Sequence, residues 1–114
     1  MFRLNTISMA VMASLYLNTA LAVPNNALPT GGQVTQGQAQ IQQSMSQMQI
    51  QQQSQKAVID WNSFNIGQQA NATFQQPNAQ AATLNRVLNG SSEIAGQLNA
   101  NGQVYLLNPN GVLF

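Results

Sequence analysis

Val104-Tyr105-Leu106-Leu107-Asn108-Pro109-Asn110-Gly111-Val112-Leu113-Phe114 sets a tight turn between two apolar runs. Asn108 suits the first turn position because its side chain can hydrogen-bond to nearby backbone. Pro109 presets φ at the second position, Asn110 tolerates the third and Gly111 suits the fourth. The flanking residues are strand formers. The expectation is that one strand enters over residues 104–107, the chain reverses, and a second strand starts at Val112. A chain that stops on Phe114, in an apolar strand, reads as the front part of something longer.

Upstream, the same grammar of short apolar runs and turn residues repeats. Ala57-Val58-Ile59-Asp60-Trp61 is β-branched and aromatic, and Ser63-Phe64-Asn65-Ile66 alternates before Gly67. Ala72-Thr73-Phe74 is bounded by Pro77-Asn78, and residues 83–88 run into Asn89-Gly90. Ser92-Glu93-Ile94 leads to Gly96, and Asn101-Gly102 precedes Val104. Short strands with regular turn punctuation predict an all-β domain. Phe64, Phe74, Leu84, Ile94 and Val104 fall at a constant interval. In a stack of strand-and-turn units they would share one core, each contributing about 1.5–3 kcal/mol on burial. Asn65, Asn85, Asn99, Asn101, Asn108 and Asn110 are candidates for stacked amide ladders, with an ordinary turn role as the plainer reading of each.

Residues 33–55 are rich in Gln and Ser. Ile41, Met45 and Met48 fit a helical spacing, while Met48 and Ile50 alternate as in a strand. Short strands separated by a loop at Ser44-Met45-Ser46 are the preferred reading, ahead of a helix or an aggregation-prone polar tract. Residues 23–32, with two prolines and two glycines, form an extended entry segment.

The first 22 residues read as a signal peptide. Met1-Phe2-Arg3 carries a positive charge, an apolar stretch follows from Ile7 to Leu17, and Ala20-Leu21-Ala22 has the small-x-small form of a cleavage site. A buried N-terminal helix is the alternative. The domain is then residues 23–114, exported rather than stably inserted in a membrane. Its charges, Lys56 and Arg86 against Asp60 and Glu93, cancel. Without a basic patch, nucleic-acid binding is not expected.

The inventory of reactive groups argues against an enzyme. The sequence contains no His and no Cys, and its only carboxylates are Asp60 and Glu93. A catalytic pair would require those two to meet, and metal ligation lacks the usual nitrogen and sulfur donors. No cofactor is expected. With no disulfide available, stability must come from a repeated core or from more chain. Trp61 reads either as core beside Ile59 and Phe64 or as a surface that stacks on a partner or sugar. Arg86 and Asp60 read either as partner contacts or as a local pair. Asn71-Ala72-Thr73 and Asn89-Gly90-Ser91 fit a glycosylation pattern but are taken as turn residues.

Several of these blocks, in this order, resemble the N-terminal secretion domain of filamentous haemagglutinin-like exoproteins, the exported partners of bacterial two-partner secretion. They are Leu28-Pro29-Thr30-Gly31-Gly32, Lys56-Ala57-Val58-Ile59-Asp60-Trp61, Ser63-Phe64-Asn65-Ile66-Gly67, Ala82-Thr83-Leu84-Asn85-Arg86-Val87 and Gly102 through Val112. Asn108-Pro109-Asn110-Gly111 is the hallmark element and the secretion motif on this reading. The resemblance implies a right-handed parallel β-helix (a solenoid) with an N-terminal cap, incomplete at the C-terminus. It implies secretion through the periplasm to the surface of a Gram-negative bacterium, with an outer-membrane transporter bearing POTRA modules as the partner. A host glycan or receptor would be reached only through the passenger, an adhesin or cytolysin. Relatives carry a second asparagine motif beyond the point where this chain stops, and Ser44-Met45-Ser46 lacks a small turn residue expected there. The alternatives are a carbohydrate-binding or haemagglutinating adhesin module, a self-assembling β subunit, and a non-functional truncated remnant.

Overall fold

The computed structural model describes residues 23–114, and every regular element among them is a strand. The proposed cleavage residues Ala20 and Ala22 lie outside the described residues. The strands are β1 (Gln33–Gln36), β2 (Ala39–Ser44), β3 (Gln47–Gln52), β4 (Lys56–Trp61), β5 (Asn71–Gln75), β6 (Ala82–Val87), β7 (Ser92–Glu93), β8 (Gln97–Ala100), β9 (Gln103–Leu107) and β10 (Val112–Leu113).

They form three sheets, in the orders β2-β3-β5-β8, β1-β4-β6-β9 and β7-β10. Chain neighbours from β3 onward sit in different sheets, and each strand pairs in parallel with its counterpart one circuit later. Thus Ile50 lies beside Phe74 and Phe74 beside Ala100, while Ile59 lies beside Asn85 and Asn85 beside Leu106. Ile66 bridges to Ile94 in parallel before β7 and β10 continue the third sheet. The interval between stacked partners varies, since Lys56 pairs with Ala82 and Ala82 with Gln103. Corners therefore absorb insertions while the strands hold register.

Alternation along each strand decides which side chains enter the core. In β4, Ala57, Ile59 and Trp61 are buried, while Val58 and Asp60 face outward. Trp61, Phe64, Phe74, Ile50, Ile59 and Ile66 are the largest fully buried apolar side chains, and Trp61 meets Phe64 edge-on, with ring centroids 5.5 Å apart at 80°. The constant-interval series holds for Phe64, Phe74 and Ile94, which are in the core, and Val104 packs against it. It fails at Leu84, which occupies an outward position of β6 between Val58 and Tyr105. The inward positions of β6 go instead to Thr83, Asn85 and Val87, all buried.

Two antiparallel strands close the N-terminal end. β1 pairs with β4 with a register shift between Val34 and Gln36, and β2 pairs with β3 along its whole length. Both occupy edges of the first circuit that would otherwise be bare. The Gln-rich tract is thus a hairpin whose turn is Met45-Ser46, the position the preferred sequence reading assigned to a loop.

Met45 sits at the tip with φ 53, and its side chain is 92% exposed. No packing compensates for an L-residue in the left-handed region. Met45→Gly is therefore expected to raise stability by about 0.5–1 kcal/mol, read as a higher urea midpoint with unchanged slope; an unchanged or lower midpoint contradicts it.

The turn at residues 108–111 differs from the sequence expectation in one respect. It does not reverse the chain into a hairpin: β9 pairs with β6 and β10 pairs with β7. It is a corner between two sheets. Asn89-Gly90 and Asn101-Gly102 are likewise corners between strands of different sheets. The physical reason is that Val112 and Leu113 pair in parallel with Ser92 and Glu93 at the exposed edge of β7, so the corner carries the chain on to the third sheet and leaves the outer edge of β9 unpaired among the described residues.

Candidate functional site

The corner of residues 108–111 is held at two levels. Within the turn, the Gly111 amide donates to the Asn108 carbonyl at 3.0 Å, and the Asn110 amide donates to Asn108 Oδ1 at 2.9 Å. Gly111 has φ 104, in the left-handed region, and a Cβ there would meet nothing within 4 Å. Glycine is needed here for backbone conformation and not for room.

Between levels, Asn108 reaches back to the preceding circuit. Its Nδ2 donates to the Gly90 carbonyl at 3.0 Å and to Ser92 Oγ at 2.9 Å. Asn110 Nδ2 also donates to the Gly90 carbonyl, at 3.3 Å. The backbone follows, with Ser92 N–H donating to Gly111 O at 3.0 Å and Ile94 N–H to Leu113 O at 2.7 Å. Asn108 thus spends both ends of its amide, the oxygen inside its own turn and the nitrogen on the corner beneath. Pro109, Asn110 and Gly111 are exposed, whereas Asn108 is half-buried. The motif divides into one residue that fastens the corner and three that it displays.

Other amides stitch the circuits in the same way. Asn101 accepts from the Gln76 amide at 2.7 Å and donates to the Gln76 carbonyl at 2.8 Å. Asn65 Oδ1 accepts from the Glu93 amide at 2.9 Å. Asn85 is fully buried; its Oδ1 accepts from Trp61 Nε1 at 2.8 Å and its Nδ2 donates to the Tyr105 carbonyl at 3.2 Å. Asn99, also a ladder candidate, lies instead on the exposed face of β8. Sequence reasoning missed the buried rung of Gln52 and Gln76. Gln76 Nε2 donates to Thr83 Oγ1 at 3.0 Å and to the Gln103 carbonyl at 2.8 Å, while Thr83 Oγ1 donates to Gln52 Oε1. The available clue was the equivalence of Gln51-Gln52 and Gln75-Gln76, each closing a strand before a corner.

The remaining sequence candidates fall elsewhere. Trp61 is 1% exposed, so in the folded domain it is core and cannot stack on a partner or a sugar. Asn71 begins strand β5 and is not a turn residue, whereas Asn89 lies in a corner, where its Nδ2 donates to Asn62 Oδ1. Arg86 makes a two-pronged contact with Asp60, at 2.6 Å through Nε and 3.0 Å through Nη2. The hydrogen bond to Asp60, and then the Asp60 charge, hold the Arg86 guanidinium above its ordinary pKa. The pair is solvent-facing, and such pairs contribute little. Arg86→Ala is expected to leave the thermal midpoint nearly unchanged, with any loss shrinking as salt rises; a large, salt-insensitive loss would contradict this.

Two shallow clefts flank the hairpin. One, of about 490 Å³, is lined by amides and hydroxyls of β2, β3 and β5, including Gln42, Gln49 and Thr73. The other, of about 470 Å³, lies at Val34, Gly37 and Gln40. Neither includes a charged side chain. Among the described residues no group of His, Cys, Asp or Glu could hold a metal, and no helix is long and apolar enough to cross a membrane.

Residues 24–114 match the family model of the TPS secretion domain. The chain is 41% identical over 114 residues to a heme/hemopexin-binding protein of Haemophilus influenzae, an alignment that covers 99% of this chain and 12% of that protein. A second heme/hemopexin-binding protein of Haemophilus influenzae is 41% identical over 115 residues, again covering 99% and 12%. The chain therefore spans about an eighth of the length of these relatives. Among solved structures, the HMW1 secretion domain from Haemophilus influenzae aligns with a TM-score of 0.69 and 38% identity, covering 74% of this chain and 23% of that one.

Proposed function

Since the chain belongs to the TPS secretion-domain family, we propose that it is the N-terminal targeting unit of a two-partner secretion exoprotein, and that the corner at Asn108-Pro109-Asn110-Gly111 is its address. Residues 1–22 act as the leader, cut after Ala22, and residues 23–114 as the targeting unit. The partner is an outer-membrane transporter, met in the periplasm, and the destination is the outside of a Gram-negative cell. The role is recognition and folding, without catalysis.

One observation carries this reading. In a chain matched to the family over residues 24–114, the four motif residues form a corner fastened from below by Asn108, with Pro109 and Asn110 turned to solvent. Recognition through POTRA modules would add an extended segment of the exported chain to a sheet edge, with backbone hydrogen bonds supplying affinity. The low charge favours passage through a narrow pore, because few ions need to be stripped of water.

The parallel sheets are the first circuits of a right-handed β-helix. The antiparallel β1 and β2 cap one end, and later circuits stack on β8, β9 and β10. Repeat architectures of this kind nucleate locally and propagate, so the capped circuits serve as the folding nucleus once the chain emerges.

The test is export of the full chain with and without its cognate transporter. The expected result is transporter-dependent appearance outside the cell and periplasmic retention without it. Equal export in both strains would overturn the proposal.

A further inference from the structure

The chain contains three Asn-Gly dipeptides, Asn89-Gly90, Asn101-Gly102 and Asn110-Gly111, and all three lie in corners. An asparagine before glycine is chemically labile. The glycine nitrogen can attack the side-chain carbonyl carbon, and with no Cβ on the glycine the approach is unhindered. The three sites differ in how firmly the two reacting groups are held.

Asn101 is clamped by Gln76 at both ends of its amide, and the Gly102 amide donates to Gln76 Oε1 at 2.8 Å. At Asn110 the nucleophile is engaged, since the Gly111 amide closes the turn onto Asn108 O at 3.0 Å. At Asn89 the Gly90 amide has no hydrogen-bond partner among the described residues, and a Cβ on Gly90 would meet nothing within 4 Å. Asn89 is held by its own amide at 3.2 Å from the Asn62 carbonyl and by the side-chain bond to exposed Asn62. Asn89 and Gly90 are both exposed.

We infer that Asn89 is a site of spontaneous deamidation, with water as co-reactant, and that the folded chain protects Asn101 and Asn110 from the same reaction. The Gly90 nitrogen loses its proton and bonds to Asn89 Cγ. The Cγ–Nδ2 bond breaks, and the nitrogen leaves as ammonia, taking up the proton. Water then opens the resulting five-membered imide at either carbonyl, giving aspartate or isoaspartate at position 89. No oxidant or reductant takes part.

The position matters because the Gly90 carbonyl is the acceptor for both Asn108 Nδ2 and Asn110 Nδ2. The isoaspartate product inserts a methylene into the main chain immediately before Gly90, displacing the anchor of the corner above. Position 89 is thus a chemical clock on residues 108–111. Deamidation at Asn89 does not depend on the secretion role.

The test is peptide mapping by mass spectrometry of the full chain, incubated in mildly alkaline buffer with and without concentrated urea. In native buffer, conversion at Asn89 should outrun that at Asn101 by on the order of tenfold, with Asn110 between, and in urea the three rates should converge. Asn89→Gln, whose longer side chain disfavours the five-membered ring, should abolish the early mass gain in its peptide and leave the other two unchanged. A lead by Asn101 or Asn110 in native buffer, an undiminished spread of the three rates in urea, or persistence of the early gain in Asn89→Gln would each overturn the assignment.

Discussion

Trp61→Ala is expected to remove a large share of the folding free energy of the domain. Truncating a buried Trp costs about 3–5 kcal/mol, against a total of about 5–15 kcal/mol for an ordinary domain. Three contacts are lost together. The indole meets Phe64 edge-on. It fills the space beside Gly32, where even a Cβ would come within 2.5 Å of the ring. Its Nε1 satisfies Asn85 Oδ1 at 2.8 Å, and Asn85 is fully buried. Leaving that oxygen bare costs about 1–3 kcal/mol. Trp61→Phe separates the effects, because it retains much of the packing while removing the donor; its loss should fall near the latter figure. Urea unfolding followed by far-UV circular dichroism reads both variants. A Trp61→Ala midpoint close to that of the parent chain would show that Trp61 does not hold the first circuits together.

Asn108→Ala is expected to abolish export and to lower stability by about 1–3 kcal/mol, because one side chain supplies three hydrogen bonds. Asn108→Asp keeps the acceptor that shapes the turn but replaces the donor with an anionic oxygen facing the Gly90 carbonyl. It should be at least as damaging. Asn110→Ala loses only the 3.3 Å contact to Gly90, so its stability should change by less than about 1 kcal/mol. If the exposed face of the corner is what the transporter reads, Asn110→Ala and Pro109→Ala will still cut export sharply. Normal export of both, with loss confined to Asn108→Ala, would reduce the motif to a structural fastener.

The local chemistry of the corners was legible in the sequence. Asn108, Pro109, Asn110 and Gly111 each favour their turn position through interactions within a few residues, and such preferences survive folding. The path of the chain beyond the turn was not legible. Whether Val112 pairs back on Leu107 or continues to Ser92 depends on an edge created far upstream, and the corner residues are compatible with both. Leu84 shows the same limit. It is apolar and fits the constant interval, yet the variable corner lengths shift the register, so Thr83 and Asn85 take the interior. Asn85 is a polar residue whose burial makes sense only once Trp61 is its partner. β8 is not legible, because Gln97-Leu98-Asn99-Ala100 contains no β-branched residue and only its pairing with β5 makes it a strand. The Met45-Ser46 turn is legible although Met45 is a poor turn residue, because the flanking alternation of Met48 and Ile50 fixes β3.

Both the fold and the proposed address require residues 108–111 to be a corner stacked upon residues 89–92. Cysteine cross-linking tests this directly, since the native sequence has no Cys to compete. Glu93 and Leu113 are in-register partners on adjacent parallel strands, at a separation suited to a disulfide. The Glu93→Cys/Leu113→Cys double variant should therefore cross-link rapidly under mild oxidation, and Leu107→Cys/Val112→Cys should not. Rapid closure of the second pair and failure of the first would mean that the turn folds the chain back on itself, contradicting the stacked corner.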